Sequence, residues 1–380
     1  MLDTRFGLGF SPTACALVRV GASACSECQI TCPVNAIEVS DTGVQLTSNC
    51  IGCGRCVGVC PTGALNLRSL AADWPLPTGD EAITVECIKV PHAQRAASAR
   101  VVPCLGSLSP ARLLELVVEN PQHCVQVVDH GWCDSCRAGC GLDAVLTDRL
   151  ASVRQLLSEA GWPQARLPAR HERPLPLAHM SVEHSFPTDA EKLDRRRFFG
   201  RLAGQAAQVV TASHPQDAPA PVRSVVRRED GVFPERVRWV HAVARLAQAT
   251  GRPIPGGAFP ALRILGDCQD HSVCAAVCPT GALRRYQTNT HAGLEFTAAW
   301  CIRCDLCTHH CPDHCITFDD AAPGAGNPLA PVTVTLHPLC VCPQCRALMN
   351  AKGVCPSCQK SQSLARDLFG PALGSCSDIS

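Results

Sequence analysis

Alternating apolar and polar positions recur in two distant parts of the chain. Ala36–Val39 and Val44–Thr47 alternate on either side of Asp41-Thr42-Gly43, which predicts a short hairpin. Leu294–Phe296 shows the same alternation far downstream. A Cys-Pro dipeptide stands near each of these segments, at Cys32, Cys60, Cys278 and Cys311. Two such pairs predict two copies of one small module, at about 10–72 and about 260–322.

A different pattern lies between the two copies. Short apolar runs predict strands, and helical spacing of apolar residues predicts helices. These elements are, in order, a strand at Ala82–Val85, a helix at Pro110–Glu119 with Ser109 as its N-cap, a strand at Val125–Val128 and a helix at Leu142–Ala160. Their order predicts a small α/β domain at 80–168.

The segments that follow are predicted to be a linker, a helix and a tail. Residues 169–236 are interpreted as a linker that contains a basic helix near 190–211, and Val237–Ala249 as a further helix. Asp194–Gly200 resembles a twin-arginine export motif. Its internal position and the polar residues after it favour docking to a partner or an acidic surface instead.

The cysteine content narrows the class of protein. The 380 residues include 28 cysteines and carry a formal net charge of +1, which argues against a nucleic-acid-binding protein. No apolar run approaches the length of a transmembrane helix, and the N-terminus lacks the pattern of a secretory signal. We therefore expect a cytoplasmic protein whose CxxC groups bind metals or clusters rather than form disulfides.

The most specific motif is Cys50-x2-Cys53-x2-Cys56-x3-Cys60-Pro. In such a run three closely spaced thiolates bind one cluster, and the fourth binds another. Gly52, Gly54 and Gly58 are expected to let the backbone pass close to the cluster. These residues resemble bacterial two-cluster ferredoxins. The resemblance covers roughly 125 residues over both copies and implies a [4Fe–4S] cluster on Cys32, Cys50, Cys53 and Cys56.

The upstream half of the first copy departs from this motif. It reads Cys25-x2-Cys28-x3-Cys32-Pro, and Ala22 stands where the first cysteine is expected. We predict a second cluster on Cys15, Cys25, Cys28 and Cys60, with a longer loop that brings Cys15 to the site. The alternative is that Cys15 is a buried free thiol and that the cluster contains three iron atoms.

The second copy also has one complete and one incomplete half. Cys301-x2-Cys304-x2-Cys307-x3-Cys311-Pro is complete, and Cys278 is predicted to close its cluster. The other half reads Cys268-x2-His271-x2-Cys274-x3-Cys278-Pro. Three interpretations stay open: His271 ligates the fourth cluster, this cluster contains three iron atoms, or Cys315 supplies the thiolate. An imidazole ligand would raise the reduction potential, because it replaces a charged thiolate.

Five further cysteines lie in the α/β segment, each after a predicted strand or before a predicted helix: Cys87, Cys104, Cys133, Cys136 and Cys140. We expect them at one edge of the sheet and Cys124 in the core. About 85 residues of this segment resemble the delta-subunit family of methyl-viologen-reducing hydrogenases. The resemblance implies a [2Fe–2S] cluster with ligands among the five. Alternatives are a docking domain with reduced thiols and a thioredoxin-like site at Cys133 and Cys136.

The tail contains Cys342-x2-Cys345-x9-Cys355-x2-Cys358, which is the spacing of a zinc ribbon. Zinc is the predicted metal, a single iron as in rubredoxin is the alternative, and Cys340 is predicted to be spare.

The sequence as a whole predicts an α+β protein in which two ferredoxin-like dicluster modules flank a small α/β domain and a zinc ribbon follows. The predicted boundaries are a first module at 1–72, the α/β domain at 80–168, the linker at 169–236, a second module at 237–325, the ribbon at 332–362 and a tail at 363–380.

The predicted function is electron transfer to or from a partner oxidoreductase. We predict four ferredoxin-type clusters, of which three or four are [4Fe–4S] and one is a three-iron cluster in the alternative. The protein should then bind about 14–18 iron atoms, a range that reflects the three-iron options and the middle site. The sequence shows neither a nucleotide-binding fingerprint nor a nucleophile–base pair, so we expect it to serve a partner oxidoreductase rather than to act on a substrate. Two alternatives stay open, an assembly or maturation factor for an iron–sulfur or molybdenum enzyme, and a redox sensor.

Overall fold

The computed structural model describes residues 7–21, 25–40, 43–70, 82–97, 99–180, 232–319, 327–349 and 354–369. The chain divides into two compact units, Met1–Ala258 and Phe259–Ser380. The basic helix predicted near 190–211, with its arginine motif, lies outside the described residues.

The first unit contains a cysteine-rich module and an α/β domain. Its described strands are β1 (Leu8–Phe10), β2 (Ile37–Ser40), β3 (Gly43–Leu46), β4 (Leu65–Leu67), β5 (Ile83–Cys87), β6 (Arg100–Val102), β7 (Val125–Asp129) and β8 (Ala169–Glu172). Its described helices of four or more residues are α1 (Ala16–Val20), α2 (Glu27–Ile30), α3 (Arg55–Val59), α4 (Pro110–Glu119), α5 (Leu142–Glu159) and α6 (Pro234–Thr250).

Two antiparallel strand pairs form the first module. β2 pairs with β3 so that Val39 lies opposite Val44, and this confirms the predicted hairpin. β1 pairs with β4, which joins the beginning of the module to its end. The short helices α2 and α3 follow the first cysteines of the two halves and place the next ones close to them.

A four-stranded parallel sheet with the order β6-β5-β7-β8 forms the α/β domain. The two predicted strands and two predicted helices are confirmed. Ser109 is the N-cap of α4, and its Oγ accepts a hydrogen bond of 3.1 Å from the Arg112 amide. The structure differs from the expected linker at residue 169, because Ala169–Glu172 is an edge strand. Its polar sequence carries no strand pattern, and its pairing with β7 defines it.

The predicted helix at 237–249 is confirmed as α6, but it packs in the first unit. Arg238 Nε lies 3.0 Å from Glu115 on α4, and Arg245 pairs with Glu119 at 2.9 Å. Phe233, just before α6, is buried. The expected boundary at 237 therefore differs from the structure, which divides after Ala258.

The second unit repeats the strand pairs of the first module. Its described elements are β9 (Ala261–Ile264), α7 (Val273–Ala276), β10 (Leu283–Gln287), β11 (His291–Phe296), α8 (Leu306–His309), β12 (Ile316–Asp319), β13 (Val332–Thr333), β14 (His337–Pro338), β15 (Cys340–Val341), β16 (Leu348–Met349) and α9 (Pro356–Phe369). β9 pairs with β12, and β10 pairs with β11, as β1 does with β4 and β2 with β3.

The C-terminal segment differs from the predicted ribbon at both ends. β13 and β14 pair with β11, so residues 332–338 extend the sheet of the second module. β15 and β16 form a separate hairpin. The second CxxC pair stands at the start of α9, which continues past the predicted end at residue 362. In the described part of the chain, no helix has the length and apolar content to cross a membrane.

Candidate metal centres

One group of four cysteines lies between the hairpin and α3 in the first module. Its members line one pocket together with apolar residues of the strands: Cys32, Cys50, Cys53 and Cys56. The Cys32 Sγ accepts a hydrogen bond of 3.2 Å from the Ala36 amide, the kind of contact that stabilises a ligand thiolate. This is the set that the resemblance to two-cluster ferredoxins implies.

The second predicted set of the first module also comes together. Cys15, Cys25, Cys28 and Cys60 line one pocket, between the β2–β3 hairpin and the β1–β4 pair. Cys15 reaches it because Pro12–Ala14 forms a single helical turn that precedes α1. The Cys15 side chain is buried beside Cys60. Cys15 thus joins the pocket of Cys25, Cys28 and Cys60, as predicted.

The thiols of these two sets are in an environment that disfavours charge. Burial raises the pKa of Cys25 to about 11 and that of Cys28 to about 12, and neighbouring thiolates add to both shifts. Burial also raises the pKa of Cys53 to about 11. Several thiolates in one apolar pocket require a bound cation for compensation.

The backbone conformation repeats at the residues directly before and after the middle position of these motifs. Gly52 and Gly54 have positive φ angles, a conformation that glycine adopts without strain. The corresponding residues of the second module also have positive φ, although none is glycine: Asp270, Ser272, Arg303 and Asp305. The loop shape is thus a property of the motif rather than of glycine.

The complete half of the second module brings Cys301, Cys304 and Cys307 near Cys278. Burial raises the pKa of Cys307 to about 12, and the charge of Cys278 contributes to this shift. Cys278 Sγ accepts a hydrogen bond of 3.4 Å from the Leu283 amide, much as Cys32 does in the first module. These four cysteines are the predicted ligands of the third cluster.

The incomplete half brings Cys268, Cys274, Cys311 and Cys315 together. Cys315 is buried, and its Sγ lies 3.6 Å from the Cys311 Sγ. The His271 side chain is 47% exposed, and its Nε2 lies 3.3 Å from a carboxylate oxygen of Asp313. Of the three interpretations that the sequence left open, this arrangement favours the one that involves Cys315.

Four cysteines of the α/β domain converge at the carboxyl edge of the parallel sheet. This is the edge at which parallel sheets usually bind ligands. The convergence follows from the topology, because β5 ends at Cys87 and the loops after β6 and β7 carry the others. A cavity of about 60 Å³ is lined by Cys87, Cys104, Cys133 and Cys136.

This middle pocket also contains a cation and a residue of the first module. Lys89 lines the pocket with only 8% of its surface exposed, and burial lowers its pKa. Cys53, from the first module, lines the same pocket. Burial is the main reason that the Cys104 pKa is raised, and the charge of Cys53 adds to it.

The other two cysteines of this domain do not line the pocket. Cys140 is exposed, although its carbonyl oxygen accepts a hydrogen bond of 2.6 Å from Arg55. Cys124 is partly buried at the opposite end of β7, where its Sγ lies 3.7 Å from the Leu167 carbonyl oxygen.

Two close contacts join the first module to the middle pocket. The guanidinium of Arg55, only 5% exposed, donates to the carbonyl oxygens of Ala138 and Cys140. Gly58 on α3 lies so close to Gly106 that a Cβ there would meet the Gly106 oxygen at 2.6 Å. The sequence predicts that Gly58 lets the backbone pass close to a cluster. The structure shows that its lack of a side chain lets α3 pack against the backbone at 106–107.

A last group of thiols lies in the C-terminal segment. The Sγ atoms of Cys342, Cys345, Cys355 and Cys358 all lie within 4.8 Å of one another. Backbone amides, chiefly those of Cys345 and Cys355, lower the pKa of Cys342 to about 6. Four converging thiols with one already inclined to ionise suit a tetrahedral metal ion.

The cysteine sets of the two modules have surroundings that suit iron–sulfur clusters. The cysteines of the four ferredoxin-type sets lie in buried or partly buried, mainly apolar surroundings. Amides donate to ligand sulfurs in both modules. Only deprotonated thiols bind iron, so the raised pKa values mean that cluster assembly releases protons.

Comparison with known proteins supports part of this description. A family model of the LdpA Fe-S cluster-binding domain matches residues 22–70. The polyferredoxin protein MvhB of Methanothermobacter thermautotrophicus is 49% identical over 49 residues, which are 13% of this chain and 12% of that protein. The uncharacterized ferredoxin MJ0265 of Methanocaldococcus jannaschii is 42% identical over 64 residues, 17% of this chain and 39% of that protein.

A component of a larger complex is also similar. This protein, from an ion-translocating oxidoreductase complex of Methanosarcina acetivorans, is 37% identical over 54 residues, 14% of this chain and 20% of that protein. The chain thus spans well under half the length of these relatives, and no solved structure matches it significantly. None of these findings supports the likeness of the middle segment to the delta-subunit family. What they do support is that this chain carries ferredoxin-type iron–sulfur cluster-binding sequence.

Proposed function

We propose that this protein is an electron relay that carries four ferredoxin-type clusters and a further cluster in the middle pocket, and that it serves a partner oxidoreductase. The zinc site in the C-terminal segment is structural in this proposal. The observation that carries it is the shared wall between two sites of the first unit, where Cys53 lines the pocket of Cys104.

The shared wall supports transfer between the two sites. Cys53 lines the pocket of the first-module set and also the middle pocket, which Cys104 lines as well. Arg55 holds the loop around Ala138 in place from the side of the first module. Buried neighbouring centres of this kind are suited to pass electrons, since burial and fixed geometry limit the reorganisation that accompanies a change of charge.

The composition of the middle pocket supports a relay over substrate chemistry. Its exposed lining is mainly apolar, and the charge of the lining residue Lys89 acts on Cys87 and Cys136. A ferredoxin-like relay needs a partner that donates or accepts electrons. The similarity to a component of an oxidoreductase complex supports a partner of that class.

Anaerobic reconstitution with iron and sulfide tests the proposal. We expect about 16 iron atoms for four cubanes, and about two more if the middle site holds a [2Fe–2S] cluster. EPR during a redox titration should show magnetic interaction between two centres of the first unit. Saturation near eight iron atoms would contradict the four-cluster proposal.

A pair of cysteine variants tests the middle site separately. Cys104→Ser should remove one centre and its magnetic interaction, because Cys104 lies in the shared wall. Cys124→Ser is the matched control, because Cys124 is at the other end of β7 and should leave iron content unchanged. If Cys104→Ser leaves every EPR signal as it was, the middle pocket is not a cluster site.

A further inference from the structure

We propose that Cys315, rather than His271, is the fourth protein ligand of the cluster formed by Cys268, Cys274 and Cys311. The inference rests on the proposed function, because it assumes that the second module binds iron–sulfur clusters. It assigns an all-thiolate site in which two ligands come from one turn, Cys311-Pro-Asp-His-Cys315.

Cys315 stands at a position that all four Cys-Pro turns of the chain share. Each of the four Cys-Pro turns is followed, four residues after its cysteine, by a small buried residue. In three turns this residue is alanine, exposed by 1%, 2% and 1% respectively: Ala36, Ala64 and Ala282. The fourth turn alone has a cysteine there, and its Cys311 is the residue that closes the cluster of the half with His271 in place of a cysteine.

The geometry of this turn brings Cys315 close to Cys311. His314 has a positive φ of 48°, as Asn35 has 49° in the corresponding turn, and this conformation folds residue 315 back toward residue 311. The Cys315 Sγ consequently lies 3.6 Å from the Cys311 Sγ. It also lies within 4.8 Å of the Cys268 Sγ, and its side chain is almost completely buried.

The backbone of Cys315 is fixed by the sheet. Its carbonyl oxygen accepts a hydrogen bond of 2.7 Å from the Leu265 amide, and the next residue, Ile316, pairs with Ile264. A thiol next to a paired strand, with its backbone held by a hydrogen bond, loses little entropy when it binds a metal. The position is therefore organised for ligation before the cluster arrives.

His271, in contrast, contacts Asp313. Its ring is 47% exposed, and Nε2 lies 3.3 Å from Asp313 Oδ1. The other oxygen of Asp313 accepts a hydrogen bond of 2.9 Å from the Gln269 amide. Both oxygens of this carboxylate are thus engaged on the loop that carries Cys268, and one of them also lies within 4.8 Å of the Cys268 and Cys315 Sγ atoms.

The decisive experiment compares single variants of the reconstituted full-length protein by iron analysis and EPR. Cys315→Ser should remove one cluster, or convert it to a three-iron cluster with its characteristic signal in the oxidised protein. His271→Ala and Asp313→Asn should each retain all iron and all signals. Cys340→Ser is the control for loss of a thiol in the same unit.

A double variant keeps the test informative if Cys315→Ser weakens the fold. His271→Cys in the Cys315→Ser background restores a thiolate at the regular position of the motif and should recover the four-iron signal. The proposal is overturned if His271→Ala or Asp313→Asn abolishes the cluster, or if Cys315→Ser leaves it intact. Failure of the wild-type second module to bind any iron would instead contradict the proposed function.

Discussion

Gly58→Ala tests the contact between the first module and the α/β domain, and its sign separates two physical effects. Gly58 lies within α3, where alanine is favoured over glycine by about 1 kcal/mol. A Cβ at this position, however, would lie 2.6 Å from the Gly106 oxygen and 2.8 Å from the Ser107 carbonyl carbon. These are backbone atoms, so neither can move aside as a flexible side chain would.

Overpacking of a rigid contact costs about 1–3 kcal/mol, and a contact with backbone belongs at the upper end of that range. We therefore expect a net destabilisation of about 1–2 kcal/mol after the gain in helix propensity. In a unit of this size the loss corresponds to a decrease of about 2–8 °C in Tm. Helix propensity alone predicts an increase of about 2–4 °C instead.

The assay is thermal unfolding of the cluster-loaded protein under anaerobic conditions, followed by far-UV circular dichroism. Gly257→Ala is the matched control, because the nearest atom to its Cβ would be Glu159 Oε2 at an ordinary contact distance of 3.5 Å. This control should change the free energy of unfolding by less than about 0.5 kcal/mol. A Tm of Gly58→Ala equal to or above that of the wild type would show that the packing argument is wrong.

Three further predictions concern the metal sites and the α/β domain. Cys355→Ser should release about one zinc ion per chain, whereas Cys340→Ser should release none, and metal analysis after gel filtration decides between them; unchanged zinc in the first variant argues against the site. Lys89→Met should lower the reduction potential of the middle centre by roughly tens of millivolts, because a buried positive charge favours the reduced, more negative state. Lys89→Arg should restore most of the potential in EPR-monitored titrations, and equal potentials in both variants would disprove an effect of charge. Ser109→Ala should destabilise the first unit by about 1 kcal/mol, because it removes the N-cap of α4, and the exposed Ser152→Ala should be neutral in the same unfolding assay.

Local spacing was enough to predict several elements and the complete cysteine motifs. The hairpin of β2 and β3 depends on residues that are close together in sequence. The same is true of helix α4 with its Ser109 cap and of the loop glycines between Cys50 and Cys56. A run such as Cys50-x2-Cys53-x2-Cys56 folds around one centre because the chain between the cysteines is too short for other arrangements. The sequence by itself therefore determined that the chain has ferredoxin-type modules.

Elements without a local pattern escaped this reasoning. β8 is polar and is a strand only because β7 offers it an edge to pair with. The helix α6 has a clear helical pattern, but the pattern does not say which surface it packs against. Ion pairs with Glu115 and Glu119 place it on α4, in the first unit.

The sites that combine distant segments were decided by the tertiary structure. Cys15 joins Cys25 and Cys28 through a turn whose direction no spacing rule gives. The middle pocket needs three parallel strands in the right order before its cysteines meet at one edge. In the second module, the sequence left open ligation by His271, a three-iron cluster and ligation by Cys315, and only the fold directs His271 to Asp313 and Cys315 to Cys311. Short spacing constrains a chain by its covalent geometry, whereas contacts between distant residues depend on how strands and helices pack, and that is known only once the whole unit has folded.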